Sequence, residues 1–307
     1  MAIIYSEATR EFHLYNDKIS YILQVMPNEE IGNLYLGKRI KHKEDFSYLV
    51  EGRLRSLAVY NKENDYFFSQ QYSRMEYPGR GTGDFREPAY QILQENGSLI
   101  THFEYVSHKI YAGKKEVPGL PMTYVEEENE AESLEIHLYD AQICTECVLN
   151  YTIFKDFSAI ARSVCFQNKG TEPVVLTRVL SASIDLPDAD YEMLQLSGAW
   201  SRERRPISRK LRQGVQGVGS CRGISSAEHN PFIALKRPLT NERMGEVIGC
   251  SLIYSGNHLE QVEVDTNDTA RIQIRIHLEG FSWRLEDIPN QTGAWKMERQ
   301  RATGANQ

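Results

Sequence analysis

A tryptophan set between small and charged residues has the chemistry of a sugar contact. The stretch LSGAWSRERRP, residues 196–206, places Trp200 after glycine and alanine and before Arg202, Glu203 and two further arginines. The apolar face of a sugar ring packs on an indole, while its hydroxyl groups hydrogen-bond to polar neighbours. A tryptophan anchored in the core, with Arg202 and Glu203 as a salt-bridged loop scaffold, would use the same residues. The residue chemistry alone leaves both interpretations open.

A glycine-rich stretch carries a second pair of charged residues. EYPGRGTGDFREPAY, residues 76–90, has glycine at every second position from Gly79 to Gly83, followed by Asp84 and Arg86. This spacing suits a tight loop, and no strand-to-helix frame makes it a dinucleotide fingerprint. Asp84 and Arg86 are expected either to hold the loop together by a charge-assisted hydrogen bond or to meet a ligand or partner.

The sequence predicts no catalytic residue. CRGISSAEHNPFIAL, residues 221–235, brings Ser225, Ser226 and His229 close together, but no glycine-flanked nucleophile elbow surrounds either serine. Capping and loop hydrogen bonds are their expected roles. The acidic run VEEENEAESLE, residues 125–135, is typical of a solvated turn rather than of the two carboxylates that a glycosidase needs.

Metal and cofactor chemistry is also not expected. Cys144 and Cys147 form CTEC, the one spacing typical of a metal or redox site, but the surrounding pattern predicts a strand. Positions three apart on a strand face opposite sides, and no second cysteine pair completes a zinc site. Five cysteines, an odd number, fit reduced thiols in the cytoplasm.

Antiparallel strands are the elements that must position these segments. In ARIQIRIHL, residues 270–278, apolar and polar residues alternate, which predicts a strand with one buried face and one solvent-facing face. Many such short strands, with frequent turns and no amphipathic helix of twelve or more residues, predict an all-β fold. We expect a large antiparallel β-sandwich with few short helices over residues 1–286. The polar stretch 287–307 has no periodicity and is expected to be an irregular tail.

The composition is that of an ordinary soluble protein. The chain has 307 residues, with 41% hydrophobic and 25% charged residues. Its net charge of -7 argues against a nucleic-acid partner, despite the basic cluster in residues 202–212. No apolar stretch approaches the ~20 residues of a membrane span, and the N-terminus lacks the pattern of a signal peptide. A cytoplasmic protein without a membrane partner is therefore expected.

Eight segments, in order, resemble the N-terminal domain of glycoside hydrolase family 36, the bacterial intracellular α-galactosidases. Besides the glycine-rich, tryptophan and RGISSAEHNPF segments, they are QENGS, GLPMTYVE, EAESLEI, DLPDADYE, and YSGN with QVEVD. The resemblance covers roughly residues 1–285. It implies a β-supersandwich, in agreement with the strand pattern. It also implies that the chain serves an enzyme acting on terminal α-D-galactosides of the melibiose or raffinose type.

In that family a (β/α)₈ barrel follows the sandwich and carries two catalytic aspartates for hydrolysis with retention. A barrel of this kind needs about 250 residues, and only about twenty follow Leu285 here. We therefore expect the catalytic aspartates to be absent and the chain alone to show no turnover. A truncated gene, a frame shift or a deliberate fragment would explain this length.

The resemblance also assigns roles to residues. The tryptophan of the matching GAW loop leans over the mouth of the barrel and packs near the terminal galactose, so Trp200 is expected to bind substrate. Arg202 and Glu203 match the rest of that motif and are expected to shape the loop. For Asp84 and Arg86 the residue types themselves predict a loop scaffold or interface. Members that are tetramers border the pocket with a loop from a neighbouring subunit, so a homo-oligomer is expected. The counterpart here includes residues 51–68, whose sequence departs from the family pattern.

Two other functions stay open. A stand-alone carbohydrate-binding module of the same fold would bind sugar weakly through Trp200 and the polar loops. A degenerate protein that serves only in assembly would bind no ligand. It would instead expose the apolar patch that the missing barrel leaves, and it would oligomerise or aggregate.

Overall fold

Antiparallel strands make up most of the described chain. The structure, a computed structural model, describes residues 1–50, 68–117, 119–277 and 283–285. Within these residues there are nineteen strands and two 3-10 helices, and every strand pair is antiparallel. The prediction of an all-β sandwich is therefore confirmed. None of the described helices is long and apolar enough to cross a membrane.

The strands alternate with turns along the whole described chain. They are β1 (Ala2–Ser6), β2 (Glu11–Tyr15), β3 (Ile19–Val25), β4 (Ile31–Lys38), β5 (Tyr90–Leu93), β6 (Glu104–Ala112), β7 (Ala131–Asp140), β8 (Thr145–Phe154), β9 (Ile160–Asn168), β10 (Val174–Val179), β11 (Ala182–Leu186), β12 (Glu192–Ala199), β13 (Arg202–Lys210), β14 (Gly214–Ser220), β15 (His229–Lys236), β16 (Val247–Ser251), β17 (His258–Val264), β18 (Ala270–Ile276) and β19 (Trp283–Leu285). The 3-10 helices are Ser47–Leu49 and Glu128–Glu130. The predicted boundary at residue 286, the tail 287–307 and the segment 51–67 lie outside the described residues.

Three sheets enclose the largest apolar core of the described chain. Their strand orders are β1-β2-β3-β4, β6-β7-β8-β9 and β19-β10-β5. Strand β8 shows how the sequence builds this core, because its alternate residues Cys147, Leu149, Tyr151 and Ile153 are buried. They pack with apolar residues of β2, β3, β5 and β10 in one cluster. We call these three sheets the first sandwich.

Two further sheets form what we call the second sandwich. Their strand orders are β11-β18-β17-β14 and β13-β12-β15-β16. Ala270, Ile272 and Ile274 of β18 are buried in the same cluster as Ile233 and Leu235 of β15. The alternation that predicts β18 therefore places its apolar residues in the core between these sheets.

The polar face of β18 is not open to solvent, so the prediction of one solvent-facing side is wrong. Arg271 is 0% exposed and Gln273 is 1% exposed. A segment that we call the glycine loop, residues 76–89, covers this face. The Gln273 amide donates to the carbonyl of Glu87 at 2.7 Å, and Arg271 pairs with Asp84 at 2.6 Å. Alternation in a strand shows which residues share a face, but not what covers the polar one.

Candidate functional site

Trp200 lies at the tip of a β-hairpin and points into solvent. The hairpin consists of β12, the turn at residues 200–201 and β13, and we call it the Trp200 hairpin. The side chain is 91% exposed, which excludes the core-anchor interpretation for the described chain. Ser201 has a φ of 62°, and its N–H donates to Glu203 Oε1 at 3.0 Å. Glu203 thus closes the turn that presents the tryptophan.

The hairpin tip requires a glycine. A Cβ atom on Gly198 would lie 2.2 Å from the carbonyl oxygen of Arg202 and 2.8 Å from the Cα of Glu203. The register between β12 and β13 shifts at this point, and Arg204 has a φ of 54°. One extra residue on β13 forms a β-bulge, which bends a strand and re-aims its side chains. The backbones of β12 and β13 therefore approach each other closely at Gly198, just before Trp200.

The second strand of the hairpin is an exposed edge. All nine residues of β13, RERRPISRK, are exposed. Arg202 is on this strand beside the turn, and within the described residues none of the arginines of β13 forms a salt bridge. Pro206 lacks an N–H, and most side chains of the strand are charged, so the edge resists pairing with a further strand. The predicted loop around Trp200 is thus an ordered hairpin with a basic edge.

A neighbouring loop supports the base of the hairpin. This loop, residues 221–228, precedes β15, and we call it the support loop. The Gly198 N–H donates to the carbonyl of Glu228 at 2.9 Å. The Ser225 hydroxyl donates to the carbonyl of Tyr254 at 3.1 Å, and Arg222 pairs with Glu228 at 3.0 Å. Three segments that are far apart in sequence therefore meet at one end of the second sandwich.

The serine and histidine of this region do not form a catalytic triad. Ser225 bonds to backbone carbonyls rather than to His229. His229 Nδ1 instead lies 2.9 Å from the hydroxyl of Ser197 on β12, and Ser197 is 5% exposed. A nucleophile must reach its substrate, and this serine is buried. The contact between Ser197 and His229 was not predicted, because neither strand pairing nor register is visible in the sequence.

Asp84 and Arg86 lie in a buried charge cluster away from Trp200. Asp84 is 5% exposed and Arg86 is 9% exposed. Arg86 bonds to Asp84 at 2.8 Å and to Asp185 at 3.1 Å. Arg271 bonds to the same two carboxylates, each at 2.6 Å. Among the described residues, no hydrogen bond or ion pair joins this cluster to the Trp200 hairpin.

The two guanidinium groups decide the charge of Asp84. Burial alone would raise the pKa of Asp84, but the positive charges of Arg271 and Arg86 lower it to about 2. Burial alone would lower the pKa of Arg271, but the negative charges of Asp185 and Asp84 raise it. Paired and hydrogen-bonded on all sides, the cluster joins the glycine loop to β18 and offers no accessible group to a ligand.

Acid–base chemistry has no evident site around Trp200. The carboxylates of the hairpin and of the support loop are all engaged: Glu203 by the Ser201 N–H, Glu192 by Lys236 and Glu228 by Arg222. Glu76, a buried carboxylate, accepts hydrogen bonds from Tyr21 and Tyr151 and pairs with Arg162 inside the first sandwich. In the described ranges no three His, Cys, Asp or Glu residues are placed to hold a metal ion.

The chain matches one family over most of its length. Residues 29–286 match the family described as Glycosyl hydrolase family 36 N-terminal domain. Alpha-galactosidase AgaA of Geobacillus stearothermophilus is 44% identical over 287 residues, which are 93% of this chain and 39% of the relative. Alpha-galactosidase Mel36A of Lactobacillus acidophilus is 36% identical over 292 residues, or 94% of this chain and 39% of the relative.

Solved structures agree with the sequence comparison. The α-galactosidase of Lactobacillus brevis superposes with a TM-score of 0.90 at 39% identity, over 92% of this chain and 38% of that chain. AgaB of Geobacillus stearothermophilus superposes with a TM-score of 0.88 at 44% identity, over 93% of this chain and 39% of that chain. A variant of AgaA crystallised with raffinose superposes with a TM-score of 0.86 at 44% identity, over 90% of this chain and 38% of that chain. This chain thus spans about 39% of the length of the curated relatives that it matches.

Proposed function

This chain belongs to the N-terminal domains of glycoside hydrolase family 36, and on that premise we propose that it shapes the galactoside pocket of an α-galactosidase. Its ligand is a terminal α-D-galactoside of the melibiose or raffinose type. The raffinose complex of AgaA, which is 44% identical to this chain, supports the choice of sugar. The chemistry belongs to a catalytic barrel domain that acts with this domain.

The exposure of Trp200 is the observation that carries this proposal. An indole that is 91% exposed at a tip closed by Glu203 has no packing role in this domain. Exposed aromatic side chains that are held rigidly are suited to contact a ligand at low entropic cost. A galactose ring packed on this indole would cover apolar surface that water otherwise meets. The basic strand β13 extends from the same turn and would face an adjoining domain or subunit.

The positions of the carboxylates support a role for this domain in substrate binding rather than in catalysis. A retaining glycosidase needs two carboxyl groups about 5–5.5 Å apart across the scissile bond. Near Trp200, Glu203 and Glu228 are held by partners of their own, and the carboxylates of the charge cluster, Asp84 and Asp185, are buried. On the family resemblance we assign the catalytic aspartates to the barrel domain, and Trp200 contributes to binding. The assignment of residues 1–286 to the sandwich and 287–307 to a tail belongs to this proposal.

The homo-oligomer and the cytoplasmic location are also parts of the proposal. Both rest on the family resemblance and on the sequence pattern. A pocket bordered by two subunits would require the oligomer for full affinity. Sedimentation of the purified chain tests the oligomer, and a monomer at all concentrations would contradict it for this chain.

Hydrolysis of a chromogenic α-galactoside tests the division of labour. The purified 307-residue chain and AgaA are assayed side by side at equal concentration. We expect a rate from AgaA and none above buffer from this chain. A rate that survives purification from host enzymes, and that is lost when a carboxylate of this chain is substituted, would show that the sandwich carries its own catalytic groups.

A stand-alone carbohydrate-binding module is the second candidate, because the exposed tryptophan alone would suffice for weak binding. Titration of the isolated chain with raffinose separates the two functions. Saturable binding that is abolished by Trp200→Ala indicates a binding module. A pocket that needs the barrel predicts no saturable binding by the isolated chain, with or without Trp200.

A further inference from the structure

Both hydrogen-bond ladders of β12 are interrupted where the Trp200 hairpin leaves the sheet. The pairing with β13 shifts register between Ser197 and Ala199. The pairing with β15 shifts between Gln195 and Ser197. A strand bends where its ladder is interrupted. At this point few backbone hydrogen bonds hold the strand, one of them from the Gly198 N–H to the Glu228 carbonyl at 2.9 Å.

Side-chain hydrogen bonds hold β12 at the interruption. Ser197 Oγ accepts from the Gln195 amide at 2.7 Å and lies 2.9 Å from His229 Nδ1. Gln195 is 7% exposed and Ser197 is 5% exposed. Because Gln195 uses only a lone pair of Oγ, the hydroxyl hydrogen is left for His229 Nδ1. Exclusion of water strengthens both contacts.

The backbone of His229 is held from the opposite sheet. Its carbonyl oxygen lies 3.2 Å from His258 Nε2, and His258 Nδ1 lies 2.7 Å from Glu260 Oε2. A carbonyl oxygen only accepts, so His258 Nε2 carries the hydrogen. His258 and Glu260 are both 0% exposed and belong to β17. His229 therefore joins the two sheets of the second sandwich at the base of the hairpin.

We propose that His229 is a positioning residue that, through Ser197, fixes the direction in which the hairpin presents Trp200. Its importance for sugar binding rests on the proposed function, since His229 acts on Trp200 and not on the sugar. Loss of the contact between Ser197 and His229 leaves β12 held more weakly at its interrupted ladders, where the bond from the Gly198 N–H to the Glu228 carbonyl remains. The tip then samples other directions, and Trp200 is withdrawn from the pocket for part of the time.

Fluorine NMR of the full chain tests this directly. The chain has three tryptophans, so labelling with 5-fluorotryptophan gives three resonances, and Trp200→Phe assigns the one of interest. Four variants are compared with the unsubstituted chain. Ser197→Ala and His229→Leu remove the contact, and His229→Asn keeps a polar atom at the position of Nδ1. His137→Leu is the matched control, because His137 is a partly exposed histidine bonded to Glu146 in the first sandwich.

The expected result is a shifted or broadened Trp200 resonance in Ser197→Ala and His229→Leu. His229→Asn restores the original resonance, and His137→Leu leaves it unchanged. An unchanged Trp200 resonance in Ser197→Ala overturns the proposal, and this small substitution leaves the fold least disturbed. A resonance that moves in His229→Asn as far as in His229→Leu also overturns it, because the hydrogen bond would then not be the cause.

The NMR measurement needs no sugar, so it tests the positioning role of His229 independently of the proposed function. If Trp200 proves dispensable for galactosides while its resonance still responds to Ser197 and His229, the positioning role stands and the proposed function is wrong. If Trp200 is required but its resonance ignores both residues, the proposed function stands and the positioning role is wrong.

Discussion

Asp84 and Arg271 are 187 positions apart in sequence, and their side chains form an ion pair of 2.6 Å in the interior. Both side chains are buried. The pair joins the glycine loop to β18, and Asp185 and Arg86 complete a cluster of two positive and two negative charges. Such a cluster is costly to desolvate, and removal of one member leaves an uncompensated buried charge.

Arg271→Met is therefore expected to destabilise the chain by about 3–5 kcal/mol, because two buried carboxylates lose their shared partner. Urea unfolding at neutral pH measures the free energy of unfolding. Arg205→Met is the control, because Arg205 is exposed on β13, and its expected effect is below about 0.5 kcal/mol. Equal effects of the two substitutions would show that the cluster contributes little to stability.

Glu30 is expected to make stability depend on pH. Its side chain is largely buried, and burial raises its pKa from 4.5 to about 7, although His102 opposes the rise. The folded pKa lies above the unfolded one, so the folded chain keeps the proton longer. Its contribution to stability is fully present below pH 4.5 and is lost as the pH rises to about 7.

Glu30→Gln should remove this dependence. Between pH 5 and pH 8 the unsubstituted chain should lose roughly 2–3 kcal/mol through Glu30, and the variant should not. Glu104→Gln is the matched control, because Glu30 and Glu104 each lie 3.6 Å from a ring nitrogen of His102, while the Glu104 side chain is 55% exposed. Urea unfolding at both pH values measures the free energy of unfolding of the unsubstituted chain and of each variant. An unchanged pH dependence in Glu30→Gln would contradict the assignment.

Gly198→Ala is expected to open the Trp200 hairpin. The new methyl group would overlap the backbone of Arg202, which cannot move without breaking the turn. We expect a loss of about 1–3 kcal/mol and faster hydrogen exchange in residues 192–210. Gly249→Ala is the control, because a Cβ there meets only the ring of Phe232 at 3.6 Å. Unchanged slow hydrogen exchange of the hairpin in Gly198→Ala would contradict this prediction, because the backbone of β13 would then accommodate a methyl group at residue 198.

The sequence predicts the fold well because the strands alternate. β8 and β18 follow a period of two, and their apolar residues lie in the two cores. The same pattern misleads for Arg271, because a polar residue facing solvent and one facing a buried carboxylate look alike in a sequence. Its partner Asp84, in the covering loop, lies 187 positions earlier, and no local pattern reports such a contact.

The candidate site is only partly visible in the sequence. The residue types around Trp200 suggest a sugar contact, and the structure adds its exposure and the turn closed by Glu203. The contact between Ser197 and His229 depends on the pairing of β12 with β15 and on a shift in register. Strand pairing is set by the whole fold, so residue types alone did not bring these two residues together.

The central claim is that Trp200 contributes to a galactoside pocket whose catalytic groups lie in another domain. The most direct test is kcat/KM for an α-galactoside in a hybrid enzyme, in which this chain replaces the matching N-terminal part of AgaA. Leu239→Ala is the control, because Leu239 is an apolar side chain that is 93% exposed elsewhere on the domain. We expect Trp200→Ala to lower kcat/KM about tenfold or more, equivalent to ~1.4 kcal/mol, and Leu239→Ala to leave it unchanged. An active hybrid whose kcat/KM is the same with and without Trp200 would contradict the account.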